Sequence, residues 1–219
     1  MGRLFLNTYA ALVATPAGRE ASKRFGLPPF IDGSIRREPD LGHPMPSISC
    51  LCRGGNFAPR LRPGDVVVYM TKRESHGRGT ERRLTAVLRV AERFGSHDEA
   101  AACYRGRGLA VPSNCMVRGN RPASLERSHR DNEHVVEGRA CPARLWDRDY
   151  ADRAARHGAF LACERLWSDL GWTAPVVRKA DLEAVFGEVP ATRNPGALHL
   201  RLLRPLLERL RIDVPPSCP

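Results

Sequence analysis

The chain lacks the features that mark a membrane or secreted protein. It has no apolar run of about 18 or more residues, so the sequence predicts no membrane span. The apolar stretch Met1–Leu6 is short and leads into Asn7 and Thr8, which does not match the layout of a signal peptide. The seven cysteines are odd in number and irregularly spaced, which favours reduced thiols over a disulfide framework. We therefore expect a cytoplasmic protein.

Lysine and aromatic residues are also scarce. Only three of the 35 basic residues are lysines, and aromatic residues make up 6% of the chain. The formal net charge is nevertheless +11, and arginine is well suited to bidentate contacts with phosphate. A basic, arginine-rich chain is typical of nucleic-acid-binding proteins, although a GC-rich genome favours the same composition. Any surface that stacks bases must be small because aromatic residues are few.

Turn and strand signals dominate the first 120 residues. The turn Pro63-Gly64-Asp65 leads into the β-branched run Val66–Thr71, and after a polar loop the segment Arg83–Val90 alternates between apolar and polar residues. Both segments are predicted strands. Further strands are predicted at 3–9, 47–52 and, as a weaker candidate, 111–117. Helices are predicted after Thr15-Pro16, ending at Gly26, and after the capping box that begins at Ser96.

The pattern becomes helical after Pro142. Apolar residues recur at spacings of three and four from Trp146 to Trp167, a short helix precedes Gly187, and a leucine stripe runs from 198 to 210. At 219 residues the chain fits one domain with a sizeable extension. We place the boundary near residue 140, with a barrel at 1–140 and a helical extension packed on it at 141–219. The leucine stripe can pack within the chain, form a homodimer or dock another protein.

The order of the predicted elements, the Gly64-Asp65 turn and the run Ala86–Val90 resemble the PUA-like superfamily, which includes ASCH, EVE and YTH domains. The loop Asp32–Glu38, the segment Ser49–Cys52 and the Pro-Gly-Asp turn are also similar to bacterial nucleotide-modification-associated domains. The resemblance covers roughly residues 1–120. It implies an α+β fold, a PUA-like small β-barrel with flanking helices, and a concave face that binds nucleic acid.

The resemblance also implies a function in which one base, in some cases a modified one, enters a pocket. DNA or RNA is the expected partner, through a role in base modification or its surveillance, and no membrane partner is expected. Asp32, Ser49 and Asn114 are predicted to line the pocket, with arginines on phosphate. The candidate binding residues are Asp32, Ser34, Arg36, Arg37, Ser49, Arg53, Ser113, Asn114 and Asn120. Each also fits a structural role, in a charged turn, a strand or a cap.

A second hypothesis is a hydrolase of a nucleoside, nucleotide or RNA on the same barrel. Its candidate catalytic residues are Glu38, as a general base, and Cys50, as a nucleophile. A reactive cysteine needs a neighbouring base such as His43, His129 or His134. A zinc site would need Cys50 and Cys52 together with Cys115 and either His129 or His134. The Cys-x-Cys spacing of the first pair is infrequent in zinc sites. We therefore expect no metal and no cofactor.

Overall fold

The computed structural model describes residues 2–75, 80–129, 133–136 and 139–213. The strands are β1 Arg3–Tyr9, β2 Ser47–Ser49, β3 Val66–Thr71, β4 Glu74–Ser75, β5 Thr80–Phe94, β6 Glu133–Val136, β7 Arg139–Pro142, β8 Phe160–Ser168, β9 Val176–Val177 and β10 Leu198–His199. The α-helices are α1 Pro16–Phe25, α2 His97–Gly106, α3 Ala143–His157, α4 Lys179–Phe186 and α5 Leu203–Arg209. The chain is thus an α+β protein.

A mixed, curled sheet in the form of a half-barrel organises the molecule. Its strand order is β10-β1-β3-β5-β8-β2, with β4 and β9 paired to β5. β1 and β3 run parallel, and the other neighbours are antiparallel. The long strand β5 shifts register against β8 between Val87 and Leu88 and again between Val90 and Glu92. Such bulges bend a strand and increase its twist, which accounts for the curl.

Both faces of the sheet are covered, so its central strands are buried on both sides. Along β3, Val67 and Tyr69 belong to the core on the concave side, and Val66, Val68 and Met70 belong to the opposite core. All six residues of β3 are buried. A strand buried on both faces reads as a continuous apolar run, which is the sequence pattern seen here.

The turn before β3 fixes the parallel neighbour β1. Asp65 accepts hydrogen bonds from the Arg3 backbone N–H at 2.9 Å and from the Arg3 side chain through both carboxylate oxygens. Gly64 has a φ of 88°, a left-handed conformation that favours glycine. A Cβ on Gly2 would lie 2.0 Å from the Gly64 carbonyl oxygen, so the absence of a side chain at Gly2 permits this close approach.

Several predicted elements are confirmed with their caps. β1 has the expected bounds, and α1 begins after Thr15, whose side chain accepts a hydrogen bond from Gly18 N at 3.1 Å. Gly26 ends α1 in the left-handed conformation. Ser96 caps α2 by accepting from Glu99 N at 3.2 Å, but the Glu99 carboxylate accepts from Gly95 N instead of Ser96 N. Only half of the predicted capping box is therefore formed.

The prediction of helices alone after residue 140 is wrong. The predicted helix at 146–167 is α3 up to His157 and then β8, which lies between β5 and β2 in the sheet. The predicted last helix is shortened to α5, preceded by β10 and a 3-10 turn. Segment 111–117 contains no strand. The sheet thus contains strands from both sides of residue 140.

The leucine stripe packs within the chain. Leu203, Leu206 and Leu207 are fully buried in the core on the convex side of the sheet, against Leu4 and Val66. Their burial uses the apolar face of α5, which the homodimer hypothesis also needs. Among the described residues, no helix has the length and apolar character required to cross a membrane.

Candidate functional site

A cleft of about 1190 Å³ opens on the concave side of the sheet. The ends of β1 and β3, the loop 32–39, β2 with the turn after it, and the end of α3 contribute to its walls. The lining residues at the floor include Asn7, Thr8, Asp32, Ser34, Glu38, Ser49 and Tyr69. The lining residues with cationic or imidazole side chains are Arg53, Lys72, His129, Arg153, Arg156, His157 and Arg193.

Asp32 organises the loop that enters the floor. Its Oδ1 accepts hydrogen bonds from Ser34 N at 2.9 Å, from the Ser34 hydroxyl and from Glu38 N at 3.0 Å. The loop from 32 to 38 therefore folds around one carboxylate oxygen. Burial raises the pKa of Asp32 to about 6, although these hydrogen bonds oppose the shift. The carboxylate is mostly ionised at neutral pH.

Glu38 is the second buried carboxyl group at the floor. Ser49 N donates to its two oxygens at 3.0 and 3.1 Å, and the Ser49 hydroxyl and Asn114 Nδ2 donate to Oε2, the latter at 2.8 Å. Burial is the largest influence on this group and raises its pKa to about 8, with the negative charge of Asp32 adding to the shift. Glu38 is therefore mostly protonated at neutral pH, a state that suits a general acid.

The hydrogen-bond chain continues behind Glu38. Asn114 is fully buried, and its Oδ1 accepts from the Ser47 hydroxyl at 2.7 Å. Ser47 and Ser49 point to the same side of β2 because side chains two residues apart share a face. The predicted residues Ser49, Asn114 and Glu38 thus meet, but Asn114 supports Glu38 from behind and is not among the residues that line the cleft.

The cationic side chains at the rim differ in whether they form hydrogen bonds within the protein. Arg53 donates to the Thr8 carbonyl oxygen at 2.7 Å, and Arg153 donates to the Leu51 carbonyl oxygen at 2.7 Å. Lys72 and Arg193 are exposed. Among the described residues, no side-chain hydrogen bond or ion pair engages either one. Both can therefore turn toward an anionic ligand without breaking an interaction within that part of the protein.

The side chains of Arg36 and Arg37 form hydrogen bonds that stabilise the loop and its contacts with neighbouring segments. Arg36 is 2% exposed and pairs with Asp147 of α3 through two hydrogen bonds of 2.5 and 2.8 Å. It also donates to the carbonyl oxygens of Ser113 and Asn120. Arg37 has a φ of 44° and donates to the Asp32 carbonyl oxygen at 2.7 Å. Neither arginine lines the cleft.

Two other predicted residues, Ser113 and Asn120, lie outside the cleft. Ser113 donates to the Asp40 carboxylate at 2.9 Å through both its backbone N–H and its hydroxyl. Asn120 donates to the carbonyl oxygens of Pro112 and Cys115 at 2.8 and 2.7 Å. Ser113 therefore holds the segment 112–120 against the loop, whereas the Asn120 side chain stabilises the turn within that segment.

The two cysteines that follow β2 occupy different environments. Cys50 is fully buried, and its Sγ lies 3.8 Å from the Arg153 carbonyl oxygen. Burial and then the negative charge of Glu38 raise its pKa to about 11, so the thiolate that a nucleophile requires is rare at neutral pH. Cys52 lines the cleft, with Sγ 3.5 Å from the Glu38 carbonyl oxygen.

The histidines that were considered as bases are spread over the molecule. His43 contacts the carbonyl oxygens of Met45 and Ala110 outside the cleft, whereas His129 lines it. The side chain of His134 lies outside the described part. Within that part, no group of three or more His, Cys, Asp or Glu residues is placed to hold a metal ion.

No family model matches the chain, and comparisons with curated proteins and with solved structures also found no match.

The structure identifies further candidate site residues, because their side chains line the same cleft. Sequence reasoning missed Lys72, Tyr69, Arg153 and Arg193, which come from β3 or its end, α3 and the loop before β10. The segments that carry them are far apart in the sequence, and no motif connects them.

Proposed function

We propose that this protein binds nucleic acid or a modified nucleotide and takes a single base into the cleft. The observation that carries the proposal is the separation of charge within one cavity. Cationic side chains occupy the rim, and the polar groups of Asp32, Glu38 and Ser49 form the floor. Phosphate fits the rim, and the hydrogen-bonding edge of a base fits the floor.

The size of the cleft supports an occupant larger than a typical small metabolite. Pockets for drug-sized molecules measure roughly 300–1,000 Å³, and this cleft exceeds that range at about 1190 Å³. A nucleotide with part of a flanking backbone would fill it better than a free base. The net charge of +11 acts in the same direction, because it attracts polyanions over long range.

We also propose that the α+β fold is PUA-like. The curled sheet, with β3 following a Gly-Asp turn and a bulged return strand β5, supports a PUA-like fold. A role in base modification or its surveillance rests on the sequence resemblance. In a PUA-like protein the concave face is the expected side for nucleic acid, and the cleft opens on that side.

Binding and its salt dependence test the proposal. Fluorescence anisotropy with labelled single-stranded and duplex DNA and RNA should show affinity that falls steeply with salt. The double variant Lys72→Gln/Arg193→Gln should weaken binding and lower the salt slope by about 0.7 for each phosphate of a single strand that is no longer neutralised. Both residues are exposed, so the variant should retain its stability.

The matched control removes the same charge elsewhere. Arg201 and Arg204 are exposed and lie outside the cleft, so Arg201→Gln/Arg204→Gln changes the net charge equally. This control should bind almost as the parent does. Equal losses in both double variants would mean that the net charge alone attracts the ligand. No binding to any plain or modified oligonucleotide or nucleotide would refute the proposal.

A hydrolase is the second candidate, and the two buried carboxyl groups favour it. Burial gives Asp32 and Glu38 pKa values of about 6 and about 8, so one is mostly ionised and the other mostly protonated near pH 7. Pairs of this kind divide the roles of general base and general acid. Chromatography of RNA and nucleotides after incubation should then show product that Glu38→Gln abolishes. If the substrates bind but remain unchanged, the hydrolase hypothesis is refuted and binding without catalysis remains.

A further inference from the structure

Among the described residues, hydrogen-bond donors reach one oxygen of the Asp32 carboxylate and not the other. Its three hydrogen bonds, from Ser34 N, the Ser34 hydroxyl and Glu38 N, all end on Oδ1. No donor among the described residues reaches Oδ2. Asp32 is nevertheless 3% exposed and lines the cleft. The loop thus fixes the orientation of a buried carboxylate at the wall of the cleft and leaves its Oδ2 without a donor from the described residues.

A buried carboxylate oxygen without a hydrogen-bond donor favours a ligand that donates a hydrogen bond to it. A buried carboxylate oxygen that loses water and gains no donor is unfavourable. A carbonyl oxygen of a ligand placed there would be repelled, whereas an N–H group would be bound. The site therefore discriminates between donors and acceptors on the ligand.

The charge of the rim limits which donor can enter. An ammonium or guanidinium ligand would satisfy Oδ2, but Lys72, Arg153, Arg156 and Arg193 around the entrance repel cations. A neutral N–H donor attached to a phosphate satisfies both parts of the cleft. Among the bases, cytosine and adenine carry exocyclic amino groups where uracil and hypoxanthine carry carbonyl oxygens.

We propose that Asp32 Oδ2 accepts a hydrogen bond from an exocyclic amino group, so that the cleft selects amino-bearing bases over their keto counterparts. This inference rests on the proposed function, since it assumes a nucleotide in the cleft. It adds the class of base and names the single atom that reads it. Ser34 and Glu38 act as positioning residues, because they hold the carboxylate through Oδ1.

Matched nucleotide pairs test the inference on the unaltered protein. Titration calorimetry should give weaker binding of uridine monophosphate than of cytidine monophosphate by about tenfold, near the lower end of what one good base contact contributes. Inosine monophosphate should be weaker than adenosine monophosphate by a similar factor. Within each pair the phosphate and ribose are identical, so the ratio isolates the base edge.

The variant Asp32→Asn provides a second and more discriminating test of the same preference. Its amide oxygen can take the place of Oδ1 and keep the three donors, which puts the NH₂ group where Oδ2 lies. The preference should then invert in favour of uridine and inosine monophosphates. Asp40→Asn is the control: Asp40 also accepts hydrogen bonds from a serine, but it lies outside the cleft, so the original preference should persist.

The outcomes separate this inference from the proposed function. Binding of both members of each pair with equal affinity by the parent protein would overturn the inference and leave nucleotide binding intact. Failure of every nucleotide and oligonucleotide to bind would overturn both. If Asp32→Asn does not fold, the ratios measured on the parent protein still decide. A preference that survives unchanged in folded Asp32→Asn would also overturn the inference.

Discussion

At the scale of single residues, the predicted residues of the loop divide into two groups. Asp32, Ser34 and Glu38 face the cleft, whereas Arg36 is buried in an ion pair with Asp147 and in hydrogen bonds to backbone carbonyl oxygens. The sequence shows two adjacent arginines and does not show which partner each one has. Arg36, which the sequence suggests as a binding residue, instead attaches the loop to α3 through Asp147.

Glu38 makes stability depend on pH. Burial raises its pKa from an ordinary value of about 4.5 to about 8, so between these values the folded state binds more protons than the unfolded state. The free energy of unfolding should therefore fall as pH rises through this window, by up to about 1.4 kcal/mol for each pH unit from this group. Glu38→Gln carries no titrating group and should lose this dependence.

Urea unfolding at several pH values from about 5 to about 8 measures this effect. The difference in stability between Glu38→Gln and the parent should grow in favour of the variant as pH rises. Glu188→Gln, at an exposed position, serves as the control and should follow the parent at every pH. Parallel curves for the parent and Glu38→Gln would contradict a raised pKa at this position.

At the scale of elements, local signals predict the parts that local interactions stabilise. α1 forms where Thr15 caps it, Pro16 begins it and Gly26 ends it. These residues act within one or two turns of the helix, so the helix ends can be predicted directly from the sequence. β3 was likewise predictable from its β-branched run after a turn, and the middle of β5 from its alternation of apolar and polar residues.

The segment 160–168 was predicted as helix and is strand β8, because its partners decide its conformation. Phe160, Leu161, Ala162 and Cys163 are all buried, so this half of the strand shows no alternation that would distinguish it from a buried helix. The register with β5 and β2 supplies the backbone hydrogen bonds that fix it as a strand. Gly158, with a φ of 53°, lies between α3 and β8 at the point where the structure changes.

At the scale of the whole molecule, the sheet ties the two halves of the chain together. β8 lies between β5 and β2, and β10 pairs with β1, so strands from beyond residue 140 lie inside and at the edge of the sheet. Removing β8 would expose the edges of β5 and β2 and open the core around Leu161 and Cys163. The part before residue 140 therefore depends on the part after it.

This dependence predicts the result of a truncation. A fragment of residues 1–140 should lack cooperative thermal unfolding by circular dichroism, because it loses a central strand of the sheet. Mixing it with a fragment of residues 141–219 should restore part of the native signal. A fragment of residues 1–140 that unfolds cooperatively by itself would contradict this view and support an independent barrel with an appended extension.

The amino-acid sequence was sufficient to predict the α+β class, the residues that cap the first two helices and the strands around the Pro-Gly-Asp turn. These features depend on periodicity and on contacts between residues close in the chain. The folded arrangement was needed to show that β8 completes the sheet and that cationic side chains from the end of β3, from α3 and from the loop before β10 share one cleft with two buried carboxyl groups. Such features depend on burial and on contacts between distant segments, which no local pattern of residues records.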